Sequence, residues 1–277
     1  MKNLTLKFAF IVFLSMGMLI TSCNKKNEAS PVDDTTISQD DALAENLFDE
    51  ATGIADEAYG LKSLGLKSTD ESIYLGPCAE ITLDTTANPH ELIIDFGEEN
   101  CLCNDGKYRR GKIIVSFTGR YWWPGTVITT GFDEFYVNDN QLDGTKVLTN
   151  MGKNDDDHPY FLISVTGVVH KALDGGTFSW NAEMEREWVE GFTTKKIRDD
   201  VYHITGEASG IRPNGKTWDR EIINELRKEM NCRFIVSGTV EIRPEDLSTR
   251  LLDFGDGECD NIATVLIDGV TYTIFLN

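Results

Sequence analysis

Residues 177–189 read TFSWNAEMEREWV, and this stretch decides the fold. Apolar and polar side chains alternate along it. The aromatic residues of one face are Phe178, Trp180 and Trp188, and the acidic residues of the other face are Glu183, Glu185 and Glu187. Successive side chains of a β-strand point to opposite faces. The stretch therefore predicts a long strand with one face in a core and the three glutamates on a solvated face.

The same alternation continues on both sides of this strand, from Cys78 to the end of the chain, between turns rich in Gly, Asn, Asp and Pro. Pro213-Asn214-Gly215 is a strong hairpin signal. The helical stretches that βαβ units need between strands are missing, so we expect a mainly β domain over residues 77–277. It is a large antiparallel sheet, a sandwich or a barrel-like meander. Residues 217–230 fit either a strand or a helix, and the flanking residues favour a strand.

Two segments of this domain resemble each other. Residues 93–101 read IIDFGEENC and residues 251–259 read LLDFGDGEC. An earlier cysteine begins each unit, at Cys78 and Cys232, so the repeat predicts the disulfides Cys78–Cys101 and Cys232–Cys259. The alternative Cys78–Cys103 stays open; otherwise Cys103 is a free thiol. We interpret Asp-Phe-Gly as structural, with Phe packed inward and Gly at a turn, because a kinase's Gly-rich and catalytic loops are missing.

The N-terminus has the parts of an export signal. Residues 1–22 begin with Lys2 and Lys7 and continue with an apolar run, 8–20, that is shorter than the roughly 20 residues of a transmembrane helix. Ile20-Thr21-Ser22-Cys23 resembles a lipobox, which implies cleavage before Cys23 and acylation of that cysteine. Asn24-Lys25-Lys26 follows, which favours the outer over the inner membrane. Export places the other cysteines in an oxidising compartment, where they pair.

Residues 23–37 are polar and are interpreted as a flexible tether from the membrane. Ser38 is a good N-cap, and a helix is expected over 39–59, ended by Gly60. Its apolar stripe would dock on the β domain; the stripe consists of Leu43, Leu47, Ala51, Ile54, Ala55 and Ala58. Helix and a second linker together fill residues 38–76.

The chain is acidic. Its formal net charge of −20 becomes −22 without residues 1–22, which hold two lysines and no acid. Such a chain repels phosphate backbones and anionic membrane surfaces, so we expect no nucleic-acid partner, and lipid has to provide membrane attachment.

Motifs for catalysis, metal ions or cofactors are missing. His90, His158, His170 and His203 are scattered without metal-ligand spacing. The acidic turn 154–159 could hold Ca²⁺ but lacks the ligand spacing of a calcium loop, so a solvated loop is favoured. The candidate ligand-binding residues are Tyr121, Trp122 and Trp123, at a turn where at least one ring must point outward.

Several segments together resemble uncharacterised lipoproteins of Bacteroidota. They are residues 42–48, both Cys–Asp-Phe-Gly–Cys units, 110–115, 124–130 and 259–261. The resemblance covers most of the mature chain and implies no activity. We therefore expect a non-enzymatic envelope lipoprotein that acts as a binding or structural module. The alternative is a surface binder of glycan or peptide through exposed aromatic residues; a hydrolase has no supporting motif.

Overall fold

The computed structural model describes residues 34–63, 72–194 and 196–276. The signal peptide, Cys23 and most of the expected tether lie outside the described residues. One long helix, α1 (Thr36–Ser63), precedes a series of strands and a short 3-10 turn at Ile197–Asp199. The strands are β1 (Glu80–Asp84), β2 (His90–Asp95), β3 (Cys101–Leu102), β4 (Tyr108–Phe117), β5 (Val127–Val137), β6 (Asn140–Lys153), β7 (Pro159–His170), β8 (Thr177–Glu190), β9 (Val201–Ile211), β10 (Thr217–Glu229), β11 (Ile235–Pro244), β12 (Arg250–Asp256), β13 (Ile262–Ile267) and β14 (Val270–Phe275).

These strands form one 14-stranded antiparallel sheet. Each strand pairs with the next one along the chain, except that β2 pairs with β4 and the short β3 pairs with β4 beside it. The mainly β meander with an N-terminal helix is confirmed; the sheet is not closed into a barrel, so β1 and β14 are its edges. The ambiguous stretch 217–230 is strand β10, as favoured.

The strand that decided the fold has the predicted two faces. Phe178 and Trp180 are buried, whereas Glu183 and Glu185 are exposed. Gly167 on β7 lies against the Phe48 ring, and Phe48 stacks on Trp180 with ring centroids 5.5 Å apart. The inner face of the sheet therefore packs directly on α1.

The helix is longer than expected at both ends. It begins at Thr36, whose backbone N–H donates to the Asp34 side chain at 2.9 Å, and the first helical hydrogen bond runs from Gln39 N to Thr35 O at 3.1 Å, so Thr35 is the N-cap. Ser38 is not a cap: it lies inside the first turn, and its buried hydroxyl has no hydrogen-bond partner. Gly60 does not end the helix, because Leu61 continues to pack on the core and offsets the low helix propensity of glycine.

The helix lies inside the curved sheet and is not docked on its surface. Its apolar stripe is buried as predicted, apart from the half-buried Leu43, and so are most of the polar residues around the rest of its circumference. Within the described residues, no helix combines the length and apolarity needed to cross a bilayer.

Both predicted disulfides are present. Cys78 is bonded to Cys101 and Cys232 to Cys259, and each bond closes the open end of a hairpin, β1–β2 or β11–β12. Cys103 is a buried free thiol.

The two Asp-Phe-Gly sequences have the same local structure. Phe96 and Phe254 are buried. The N–H of the following glycine donates to the aspartate, Gly97 to Asp95 at 2.8 Å and Gly255 to Asp253 at 2.9 Å. Both glycines have a positive φ, 84° and 101°, which explains why glycine follows phenylalanine in each unit.

Candidate functional site

A network of buried charges joins α1 to the sheet. The helix contributes the acidic side chains Asp40, Asp41, Glu45, Asp49, Glu50, Asp56 and Glu57. The strands and turns around it contribute the buried or nearly buried basic side chains Lys107, Arg109, Lys146, Lys171, Arg186, Arg220 and Lys228. Burying a charge costs free energy unless the charge is paired and hydrogen-bonded, so the ion pairs of this network fix the helix relative to the strands and turns that carry the bases.

Glu50 is the most strongly paired acid. Lys107 Nζ lies 2.6 Å from its Oε2, and Arg109 Nε donates to its Oε1 at 3.0 Å. Arg109 also donates to Tyr74 O at 3.0 Å and to Asp105 Oδ1 at 2.9 Å. Burial alone would raise the pKa of Glu50, but Lys107 and Arg109 lower it to about 2. Glu50 is therefore ionised throughout the neutral range.

Arg220 pairs with the first half of the helix. Its guanidinium contacts Glu45 and lies 3.2 Å from Asp41 Oδ1, which also accepts a hydrogen bond from Trp180 Nε1 at 2.9 Å. Burial raises the pKa of Asp41 to about 6, against the opposite effect of Arg220. Asp41 is therefore protonated at a higher pH than Glu50, although both side chains are buried.

Asp56, near the end of the helix, accepts a hydrogen bond from Tyr121 Oη at 3.1 Å. Burial raises its pKa to about 7. Burial also lowers the pKa of Lys146, to about 8. A cavity of about 20 Å³ lies between Asp56, Tyr121 and Lys146, which is room for a single water molecule. This end of the charge network therefore has no space for a substrate, and we assign it to structure.

The expected ligand-binding residues lie in the loop between β4 and β5, but the structure separates them. Trp122 and Trp123 are 39% and 58% exposed, whereas Tyr121 is only 1% exposed. Tyr121 therefore does not offer a ligand contact, which corrects that expectation. Its ring points inward because its hydroxyl reaches Asp56 and its face stacks on Tyr59, with ring centroids 4.4 Å apart.

Hydrogen bonds fix the same loop around the two tryptophans. Trp123 N donates to Arg120 O at 2.8 Å, and Thr126 Oγ1 donates to the same oxygen at 2.8 Å. Asn150 Nδ2 on β6 donates to Trp122 O at 3.1 Å. The exposed indoles thus project from a loop held at its backbone and, through Tyr121, in the core.

Neighbouring loops extend the aromatic surface. The ring centroid of Trp188, at the end of β8, lies 6.2 Å from Trp122 and 6.3 Å from Phe192. The Arg120 guanidinium lies over the Trp123 ring at 4.4 Å. We call Trp122, Trp123, Trp188 and Phe192 the aromatic rim. Sequence reasoning missed Phe192, and it placed Trp188 on the strand face without linking it to Trp122; spacing along the chain gives no signal for this contact.

Two carboxylates lie near the rim. Asp200 is a neighbour of Trp188, whereas Glu187 points to the opposite face of β8 and approaches the rim through His158, whose ring centroid lies 5.6 Å from that of Phe192. Glu187 Oε1 accepts hydrogen bonds from Asn154 Nδ2 at 2.8 Å and from His158 Nδ1 at 2.7 Å. Partial burial would raise its pKa, but these hydrogen bonds lower it. Burial raises the pKa of Asp200 to about 7, and Asp200 lies beneath Gly191, where any Cβ would collide with it. Glu187 is therefore held by hydrogen bonds to Asn154 and His158, and Asp200 is shielded from solvent by Gly191.

The acidic turn 154–159 is organised by Asn154. Asn154 Oδ1 accepts the backbone N–H groups of Asp156 at 3.1 Å and His158 at 3.0 Å. Across the residues that the structure describes, no group of three or more His, Cys, Asp or Glu is placed to hold a metal ion.

A cavity of about 420 Å³ opens beside the first half of α1. Its wall includes Gln39 and Leu43 from the helix, Asn138 and Lys171 from two turns, and Phe275 from β14. Lys171 Nζ already pairs with Asp40 at 2.7 Å. The charged side chains of its wall, Asp40, Lys107 and Lys171, are all held in ion pairs within the protein, and we assign the cavity no function.

Comparisons with protein-family models, curated proteins and solved structures find no match to this chain. The resemblance to lipoproteins of Bacteroidota stays a prediction, and function has to be argued from the residues themselves.

Proposed function

We propose that this protein is a lipid-anchored lipoprotein of the outer membrane that binds a glycan on its aromatic rim. The observation that carries the proposal is the pair of exposed indoles, Trp122 and Trp123, on a loop fixed from below by Tyr121. The anchor is supported by the lipobox-like sequence that ends at Cys23. The function is binding without catalysis.

The arrangement suits a sugar because the apolar face of a pyranose ring packs on an indole while its hydroxyls need polar partners at the edge. Trp is the side chain that offers most apolar area together with a polar group. His158 lies next to the rim, with its ring centroid 5.6 Å from that of Phe192, and Glu187 joins it to Asn154 by hydrogen bonds. A loop that is already ordered loses little conformational entropy on binding, so more of the contact energy appears as affinity.

The carboxylates next to the rim favour binding over hydrolysis. A glycosidase uses a carboxylic acid whose pKa is raised and which reaches the glycosidic oxygen. Glu187 has a lowered pKa, and Asp200, whose pKa is raised, is buried beneath Gly191. Neither combines the required pKa with access to a bound sugar.

A glycan array probed with the detergent-solubilised full-length protein tests this proposal. We expect binding to a subset of glycans, with affinity reduced at least tenfold in Trp122→Ala and Trp123→Ala. Tyr108→Ala is the matched control, because Tyr108 is an exposed aromatic residue, 47% accessible, outside the rim. Its affinity should equal that of the unmodified protein.

The proposal would be overturned if the protein bound no glycan on the array. It would also be overturned if both tryptophan variants bound with the same affinity as the unmodified protein. A peptide array run in parallel separates the other ligand class. Peptide binding that requires the tryptophans, without glycan binding, would replace the glycan with a peptide at the same rim.

A further inference from the structure

The two strands of the last hairpin of the sheet carry no charge and expose several large apolar side chains. Strands β13 and β14 read IATVLI and VTYTIF and contain no charged residue, in a chain of which 26% is charged. Ile262, Leu266, Val270 and Phe275 are each more than 40% exposed. Exposed apolar residues concentrated on one element of an otherwise polar surface mark an interaction site.

β14 also offers unpaired main-chain groups. The hairpin turns through Asp268 and Gly269, which both have positive φ, and Leu276 N donates to Asn261 O at 2.8 Å. This register places Val270, Tyr272 and Ile274 in the pairs bonded to β13. The N–H and C=O groups of the alternate residues, Thr271, Thr273 and Phe275, therefore point to the open side. Among the described strands, β13 is the only neighbour of β14.

The opposite edge of the sheet is protected in the usual way. β1 is five residues long and has exposed acids at both ends, Glu80 and Asp84. Short edge strands and charged side chains prevent unwanted strand pairing. β14 has no charge and no proline along its length, and it consists of residues that favour strands. The two edges therefore differ in whether they can accept another strand.

We infer that β14 pairs antiparallel with β14 of a second copy of this chain, across a two-fold axis at Thr273. This register places Thr273 opposite Thr273, and Thr271 opposite Phe275 of the second copy. All three open-side residues then form bonded pairs, so one sheet continues through both molecules. A two-fold axis is the commonest symmetry of soluble oligomers, and antiparallel strand pairing satisfies it.

Charge supports a second copy as the occupant. Two molecules of formal charge −20 repel each other, so they can approach closely only through a surface that carries no acids. Strands β13 and β14 form such a surface, and Asp268 lies outside it, in the turn at one end of the hairpin. Side chains paired across strands share a face, so Ile262 and Phe275 lie side by side. The pairing extends this apolar row with Thr271 and Leu266 of the second copy.

The test is the mass of the full-length protein in detergent, by sedimentation and native mass spectrometry. The unmodified chain is expected to be a dimer. Thr273→Lys brings two like charges together on the two-fold axis and should raise the dissociation constant at least 100-fold. Thr82→Lys is the matched control, since Thr82 is an exposed threonine on the other edge strand; it should remain a dimer.

A charge exchange separates loss of pairing from loss of folding. Thr273→Asp alone should also be monomeric, but mixed with Thr273→Lys it should form a heterodimer, because opposite charges then face each other. A monomeric unmodified protein, a dimeric Thr273→Lys variant, a monomeric Thr82→Lys variant or a mixture without heterodimer would each overturn the inference.

Discussion

Asp56 combines burial with a lack of direct ionic support. Among the ion pairs of the described residues none includes Asp56, and Tyr121 is its hydrogen-bond donor. Burial raises its pKa from 3.8 to about 7. Between these two values the folded protein holds a proton that the unfolded chain releases. The stability contributed by this proton is complete below about pH 4 and is lost as the pH rises to about 7.

Asp56→Asn should therefore stabilise the protein at pH 8 and lose this advantage as the pH falls towards 5. The amide stays neutral and still accepts the hydrogen bond of Tyr121. The gain at pH 8 should be a few kcal/mol, because one pKa unit corresponds to about 1.4 kcal/mol. Urea unfolding between pH 5 and pH 8 measures it. Asp133→Asn, at an exposed position, is the control, and a constant offset of Asp56→Asn across this range would contradict the prediction.

The contacts of some residues could be predicted from the sequence, and those of others could not. The cysteine pairing was predictable because two copies of one pattern constrain each other. The orientations of Tyr121, Trp122 and Trp123 were not predictable. An irregular loop has no sequence period that indicates which of three adjacent rings points inward. Tyr121 points into the core because its hydroxyl donates to Asp56, which lies 65 positions earlier in the chain. No local sequence pattern predicts this hydrogen bond.

The helix α1 shows the same limit for an element. The spacing of its apolar residues predicted a helix with one docking face, but it did not indicate that the acids around the rest of the helix are buried as well. They are buried because bases on distant strands meet them: Lys107 lies 57 positions from Glu50, and Arg220 lies 175 positions from Glu45. Once both faces of the helix are buried, its packing overrides Gly60, so the local stop signal failed as well.

Glu50→Gln should destabilise the protein by roughly 3–5 kcal/mol, because Arg109 and Lys107 lose the charge that compensates their burial. Asp219→Asn is the matched control. Asp219 lies 2.7 Å from Arg243 with both side chains largely exposed, and such a pair contributes less than about 1 kcal/mol. Chemical denaturation of both variants at pH 7 gives the comparison. Equal, small losses would show that the buried network does not hold the helix in place.

At the scale of the molecule, the alternation of apolar residues and the short turns predicted a large, mainly antiparallel β domain but left open a sheet, a sandwich or a barrel-like meander. Whether the sheet closes was not predictable, because closure depends on twist accumulated over many strands. The curvature of the sheet around the helix depends on contacts between distant turns. One of them is the hydrogen bond from Arg233 Nη1 to Asp105 O, at 2.7 Å, between residues 128 positions apart in the chain. The aromatic rim arises in the same way, from loops that only the folded sheet brings together.

In the proposed function, acylation of Cys23 would set the position of the rim in the cell. Residues 24–33 separate Cys23 from the first described residue, Asp34, and ten residues span at most about 35 Å. An acyl anchor on Cys23 would therefore hold the β domain close to the bilayer. Each buried methylene contributes about 0.8 kcal/mol, so two or more chains give stable attachment without a transmembrane helix.

Cys23→Ser should abolish acylation of the protein, because the serine hydroxyl replaces the sulfur that carries the lipid. Metabolic labelling with an alkyne analogue of palmitate measures this directly, independently of whether the signal peptide is removed. Cys103→Ser is the matched control: Cys103 is the other cysteine left out of the two disulfides, and its thiol is buried with a raised pKa, so it should not be a site of modification. Labelling that persists in Cys23→Ser, or disappears in Cys103→Ser, would place the anchor elsewhere and remove the membrane from the proposed function.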